Sequence, residues 1–217
     1  MILNLYHNPI IQKKIVLENI FSKSHYDWEL IDDAEEKSWI DNGCYYMQNK
    51  SKNRWMFYHK KMPLQPNNNF IITAEIEVLK HQGYGQYGLV WGFNAPHQQL
   101  NKFTVSVNQS TFSVAKFEKN YHHYFHRFSD VFKKNTTQTN PQIFTIVCLN
   151  AYCYFYLNHS NYPLYICHKA HLTTEGNRFG FYIEPGITIR CYKISISKLL
   201  VDSTNDINFN LPLATKI

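Results

Sequence analysis

Three groups of side chains have types and spacings that could do chemistry. Glu75 and Glu77 stand two apart in Phe70-Ile71-Ile72-Thr73-Ala74-Glu75-Ile76-Glu77-Val78. On a strand, that spacing puts both carboxylates on one face, as a mechanism with one acid and one nucleophile requires. His122, His123 and His126 fall within Tyr121-His122-His123-Tyr124-Phe125-His126. Imidazole is a common metal ligand, and on a regular strand His122 and His126 share a face while His123 looks away. No H-E-x-x-H pattern or neighbouring acid accompanies them, so no metal and no cofactor is expected, and an aromatic loop is the simpler reading. The third group is Tyr152-Cys153-Tyr154-Phe155-Tyr156-Leu157. Its alternation predicts Cys153, Phe155 and Leu157 facing a core, with Tyr152, Tyr154 and Tyr156 on the other face. A tyrosine ring stacks on a sugar face or a partner's side chain and its hydroxyl gives direction. Tyr182 and Arg190 join this set as expected neighbours, giving a candidate ligand face of Tyr152, Tyr154, Tyr156, Tyr182 and Arg190. Cross-strand tyrosines also stabilise a sheet with no ligand at all.

Other catalytic signatures are missing. There is no nucleophile elbow and no phosphate-binding glycine loop. Gly83-x-Gly85-x-x-Gly88 spells a dinucleotide fingerprint, but it precedes a strand rather than a helix.

The elements that would position these groups are strands. Ile72, Ala74, Ile76 and Val78 alternate with Thr73, Glu75 and Glu77, the pattern of a half-buried strand. Tyr87-Gly88-Leu89-Val90-Trp91-Gly92-Phe93 is apolar on both faces. Phe103–Val107 and Thr111–Phe117 read as a hairpin, and so do Gln142–Asn150 and Tyr152–Asn158, joined at Leu149-Asn150-Ala151. Arg178–Ile183 and Ile187–Leu199 flank a Glu184-Pro185-Gly186 turn. Strands recurring at this interval predict an all-β, two-sheet antiparallel sandwich. Ile10, Ile15, Val16 and Ile20 have the looser spacing of one short helix within residues 9–23. The expected organisation is an N-terminal extension over 1–17, the sandwich over 18–200 and a tail over 201–217.

Composition agrees with one globular unit. Hydrophobic residues make up 44% of the 217, too many for a disordered chain, and the length suits a single sandwich. The formal charge of +6 is spread over isolated lysines and pairs such as Lys13-Lys14, Lys60-Lys61 and Lys133-Lys134, so no nucleic-acid footprint is present. No window is apolar over the roughly 18 residues of a membrane helix. Polar residues interrupt Met1–Ile20 too often for a signal peptide. Cys44, Cys148, Cys153, Cys167 and Cys191 form no C-x-x-C pair and read as buried free thiols, which together point to a cytoplasmic protein.

The ordered set of segments resembles the concanavalin A-like lectin/glucanase superfamily, above all the laminin-G-like and 3-keto-disaccharide hydrolase-like branch of bacterial multidomain proteins. The matching stretches run from Phe21 and Trp28 through Asp41-Asn42-Gly43-Cys44-Tyr45-Tyr46-Met47, Phe70–Ile76 and Tyr87-Gly88-Leu89-Val90-Trp91-Gly92 to Phe155-Tyr156-Leu157-Asn158 and Arg178-Phe179-Gly180-Phe181-Tyr182. One departure is His159, where the family has glycine, so a wider turn with Ser160-Asn161 at its tip is expected. The resemblance implies a jelly roll whose concave sheet carries a ligand groove. Retaining glucanases of the superfamily carry an E-I-D-x-x-E-like strand. Glu75-Ile76-Glu77-Val78-Leu79-Lys80 lacks the middle Asp and has Lys80 for the third acid. The expectation is therefore a non-catalytic module binding a glycan or a protein partner. A structural subunit of a larger assembly and a glycan-cleaving enzyme using Glu75 and Glu77 are the alternatives. A fold shared by lectins, hydrolases and adaptors does not choose among them.

Overall fold

The computed structural model describes residues 11–19, 21, 28–65, 67–108, 111–119, 121–128, 141–173 and 175–201. Among these residues fourteen strands follow in chain order: β1 Ile11–Asn19, β2 Glu36–Asp41, β3 Cys44–Asn49, β4 Met56–Lys61, β5 Phe70–Lys80, β6 Gln86–Asn94, β7 Gln99–Ser106, β8 Phe112–Glu118, β9 Tyr121–Phe128, β10 Gln142–Leu149, β11 Tyr152–Leu157, β12 Tyr165–His168, β13 Arg178–Ile183 and β14 Thr188–Val201. A single 3₁₀ turn, Lys169–His171, is the only helical piece among the described residues.

The strands form two antiparallel sheets. One has eight strands in the order β12-β11-β10-β5-β14-β3-β2, with β1 also paired to β14; the other has six, in the order β4-β13-β6-β7-β8-β9. The expected all-β sandwich is therefore what the chain forms. Its core lies between the sheets. Ile72, Ala74 and Ile76 of β5, Phe144 and Ile146 of β10, and Phe155 and Leu157 of β11 meet Leu89 and Trp91 of β6, Phe103 of β7, Val114 of β8 and Phe181 of β13. Trp28 is also in this core, while Trp39 and Trp55 are half-buried.

Four local expectations are corrected. Residues 11–19 are a strand, not a helix, and β1 pairs with the second half of β14. The sheet thus reaches back across the expected 17/18 boundary. Residues 121–128 are the edge strand β9 rather than a loop. The late turn is tight at its start: Asn158 and His159 take φ of 52° and 56°, and Ser160 N–H donates to the Leu157 carbonyl at 3.1 Å. That is the two-residue, left-handed pattern of a type I′ turn, so Asn158-His159 rather than Ser160-Asn161 forms the tip. Finally, Cys148 and Cys153 are disulfide-bonded, with Cα atoms 4.2 Å apart, while Cys44, Cys167 and Cys191 are free and buried. The two-residue connection Asn150-Ala151 makes Cys148 and Cys153 direct partners across β10 and β11.

Candidate functional site

The predicted ligand face divides between the two sheets. Tyr152, Tyr154 and Tyr156 lie on the outer face of β11, but their exposure falls from 47% through 9% to 1% along the strand. Tyr154 and Tyr156 pack into a second apolar cluster with Ile71, Val147, Leu149 and Leu199. Only Tyr152 of the three is open. Arg190 lies on the same sheet, three strands away on β14, and Tyr182 lies on β13 in the opposite sheet. The five residues are therefore not brought together. Alternation assigns a face but not the neighbouring strand, and β13 sits between β4 and β6 rather than beside β11.

Glu75 and Glu77 do share the outer face of β5, as expected. Glu77 is directly opposite Arg190 in register. Its Oε2 accepts hydrogen bonds from Arg190 Nε at 3.0 Å, from the second guanidinium nitrogen, and from the Tyr192 hydroxyl at 2.6 Å. Burial pushes the Glu77 carboxyl up, but the bonds from Tyr192 and Arg190 and the arginine charge outweigh it and hold the group below the usual carboxylate range. A general acid needs the opposite shift. Trp39 and Tyr46 extend this row across β2 and β3, stacked at 5.0 Å, with Tyr46 beside the Arg190 guanidinium. The row reads as a cross-strand ladder that joins four strands.

His122 and His126 end on opposite faces. A register shift between Val114 and Ala115 reverses the alternation along β9. His122 packs on Phe117 at 4.9 Å, outside the sandwich. His126 stacks on Phe112 at 4.9 Å and Tyr165 at 4.8 Å, on the inner side. The expectation that they share a face is corrected. Among the described residues no group of three or more His, Cys, Asp or Glu is placed to hold a metal ion.

The outer face of the six-stranded sheet is where ring-bearing side chains converge. Trp55 and Phe57 come from β4 and the residue before it, Phe93 from β6, Leu100 from β7 and Phe117 from β8. With Ala95 and Gln98 they line a depression of about 300 Å³, at the lower end of the size of small-ligand sites. The Trp55 ring lies 5.2 Å from Phe117 and 5.6 Å from Tyr182, and Phe57 meets Phe93 at 4.5 Å. Three strands separate β4 from β8, so a flat sheet would hold their backbones about 19 Å apart. Their side chains touch because the sheet curls, and this face is therefore concave. A polar rim borders the rings. Arg178 donates to His59 Nδ1 at 3.0 Å, and the His59 ring lies 5.2 Å from Phe93.

Deeper on the same face the groups are polar and enclosed. The Lys102 ammonium lies 4.5 Å from the Tyr182 ring and 5.3 Å from that of Tyr124, and the residue is fully buried. The Thr104 and Ser113 hydroxyls lie 2.7 Å apart and both are within 3.3 Å of Gln86 Oε1, so one donates to the other, which in turn donates to the amide oxygen. Tyr182 donates to Glu184, which also accepts from the Gln86 backbone at 2.9 Å. Of the ligand residues expected from the sequence, only Tyr182 belongs to this concavity.

Burial, aided by the Lys102 charge, lowers the His122 imidazole to about 4. In the unfolded chain it protonates near 6.5, so between pH 6.5 and 4 the unfolded state binds more protons and stability falls as the pH drops. We expect His122 to contribute a loss of roughly 1–2 kcal/mol between pH 7 and pH 5. His59 and His126 are lowered for the same reason, burial, and add to the same trend. Urea midpoints at the two pH values measure it: H122Q should flatten the decline, and an unchanged slope would contradict the assignment.

No family model matches the sequence, and no curated protein matches it. Solved structures do share the fold. A Bacillus subtilis protein of unknown function with a galectin-like fold superposes with a TM-score of 0.63 at 10% identity, covering 88% of this chain and 100% of that one. The CBM2 module of the evolved Dit of Lactobacillus casei BL23 phage J-1 follows at 0.58 and 8%, covering 88% and 98%. The endo-β-1,3-glucanase of Pyrococcus furiosus gives 0.60 at 8%, covering 89% and 100%. At such identities the likeness is one of fold, the two-sheet jelly-roll sandwich.

Proposed function

We propose that this chain is a non-catalytic saccharide-binding module whose site is the aromatic depression on the concave face of the six-stranded sheet. The observation that carries the reading is the convergence there of Trp55, Phe57, Phe93 and Phe117 beside the polar rim of Gln98, His59 and Arg178. Flat rings cover the apolar face of a sugar, and the rim supplies hydrogen bonds to its hydroxyls. The described lining residues include no carboxylate, whereas glycoside cleavage needs two carboxyl groups a fixed distance apart. The resemblance in fold to a CBM2 module and to a β-1,3-glucanase supports a saccharide as the ligand.

A glycan array probed with the wild type, W55A and Y152A tests this. Removing the indole should weaken binding at least tenfold, since it takes away the largest ring of the platform. The Tyr152 variant should bind like the wild type. Retained binding by a folded W55A variant, or loss confined to Y152A, would sink the proposal.

A further inference from the structure

The connections β3–β4, β5–β6 and β13–β14 meet at one end of the sandwich around a pocket of about 510 Å³. We infer that this pocket is a second binding site, for an oxyanion group, sulfate or phosphate, carried on a larger ligand. Its described lining includes Lys50, Lys52 and Lys80 with the amide of Gln82 and the hydroxyls of Ser51 and Thr188, and no acidic residue.

The charges around it do not cancel. Lys50 is engaged, with Asp32 at 3.4 Å and the Asp33 carbonyl at 2.6 Å. Arg54 is paired with Glu35 at 3.0 Å, and Lys37 with Asp32 at 2.7 Å. These acids are thus already used by neighbouring bases. No ion pair among the described residues engages Lys52 or Lys80. Ammonium, amide and hydroxyl donors around a cavity without an acid form a set that an oxyanion satisfies and a neutral ligand does not.

The floor beneath them is built rather than loose. Asn49 N–H donates to the Ile187 carbonyl at 3.0 Å, and Gly186 N–H to the Asn49 carbonyl at 3.1 Å. The buried Asn49 amide ties Arg54 and Ile183 together through their carbonyls, at 2.7 and 3.1 Å. Gly186 takes φ +72°, and a Cβ there would press on Gln82 at 3.2 Å. The turn that shapes the pocket is therefore held from two sides. None of these residues lines the aromatic depression, so the inference is independent of the saccharide reading.

Titration of the full chain with sodium sulfate and with inorganic phosphate at constant ionic strength, followed through the amide shifts of Ser51 and Gly186, tests the site. A sulfated disaccharide and a nucleoside diphosphate are the arms that separate the two sources of the anion. K52Q/K80Q should weaken binding about tenfold, from two surface charges. K14Q/K119Q, which removes the same net charge elsewhere, should change it less than twofold. Saturable binding with this contrast supports the site, and the tighter of the two larger probes names the source. No saturable binding by any of the four probes, or equal weakening in both variants, overturns it. Binding unaltered in W55A shows that this site stands apart from the concave face.

Discussion

Gly180→Ala is expected to destabilise the chain by at least about 4 kcal/mol, beyond the usual range for overpacking. Gly180 lies on β13 between β4 and β6, and an added Cβ would stand 1.9 Å from the Tyr58 carbonyl oxygen and 2.8 Å from the His59 Cα. Both are backbone atoms of the adjacent strand, so no side-chain rotation relieves the clash. The strand pair that carries Phe57, His59 and Tyr182 would have to separate. For a chain of this length the loss corresponds to a melting temperature lower by roughly 8–16 °C. Gly83→Ala is the contrast. Its φ of +83° strains a side chain, but nothing lies within 4 Å, and about 1 kcal/mol is expected from the backbone alone. Thermal unfolding of the two variants should differ by several kcal/mol. A G180A protein as stable as G83A would show that β4 and β13 do not pack as described.

The second large effect falls on a buried polar clamp. Asn101 is fully buried on β7, and its amide donates to the Thr173 carbonyl and accepts from the Thr173 N–H, each at 2.9 Å. This pair ties the segment before β13 to the middle of the six-stranded sheet. Asn101→Ala removes both partners at once and leaves a buried donor and a buried acceptor unpaired. We expect a cost of about 2–4 kcal/mol, read as a lower urea midpoint with an unchanged m-value. A loss under about 0.5 kcal/mol would mean that water replaces the amide. Asn101→Asp keeps the acceptor but turns a carboxylate toward the Thr173 carbonyl, and should cost at least as much.

The strands that alternate cleanly are legible in the sequence. Ile72, Ala74 and Ile76 face the core, as do Cys153, Phe155 and Leu157. Failures occur where a bulge breaks the period of two. In β1 the register shifts between Ile15 and Leu17, so Val16 and Leu17 both pack on the core while Ile15 is 54% exposed. Two adjacent inward residues mimic helical spacing, and a helix was the natural reading. The shift opposite Val114 and Ala115 separates His122 from His126 in the same way. The disulfide had a usable signal, because a hairpin with a two-residue loop at Asn150-Ala151 places residues 148 and 153 opposite each other.

The candidate site was mostly hidden for a different reason. Trp55-Met56-Phe57-Tyr58 is apolar on both faces, and so is Tyr87–Phe93, which marks strands covered on two sides. That signal does not distinguish a ligand platform from a second core. It applies equally to Tyr154 and Tyr156, which proved to be buried. What unites Trp55, Phe93 and Phe117 is the curl that brings β4 toward β8. Curl belongs to the whole sheet and leaves no mark on any one strand's pattern.

The central claim, that saccharide binds the concave face of the six-stranded sheet, is tested most directly by chemical-shift mapping. The tightest glycan from the array is titrated into isotope-labelled protein. The prediction is that shifts concentrate on Trp55, Phe57, Phe93, Gln98 and Phe117, including the Trp55 indole N–H. Shifts centred instead on Tyr152 and Ile166 of the eight-stranded sheet, or no glycan retained by the array at all, would contradict it.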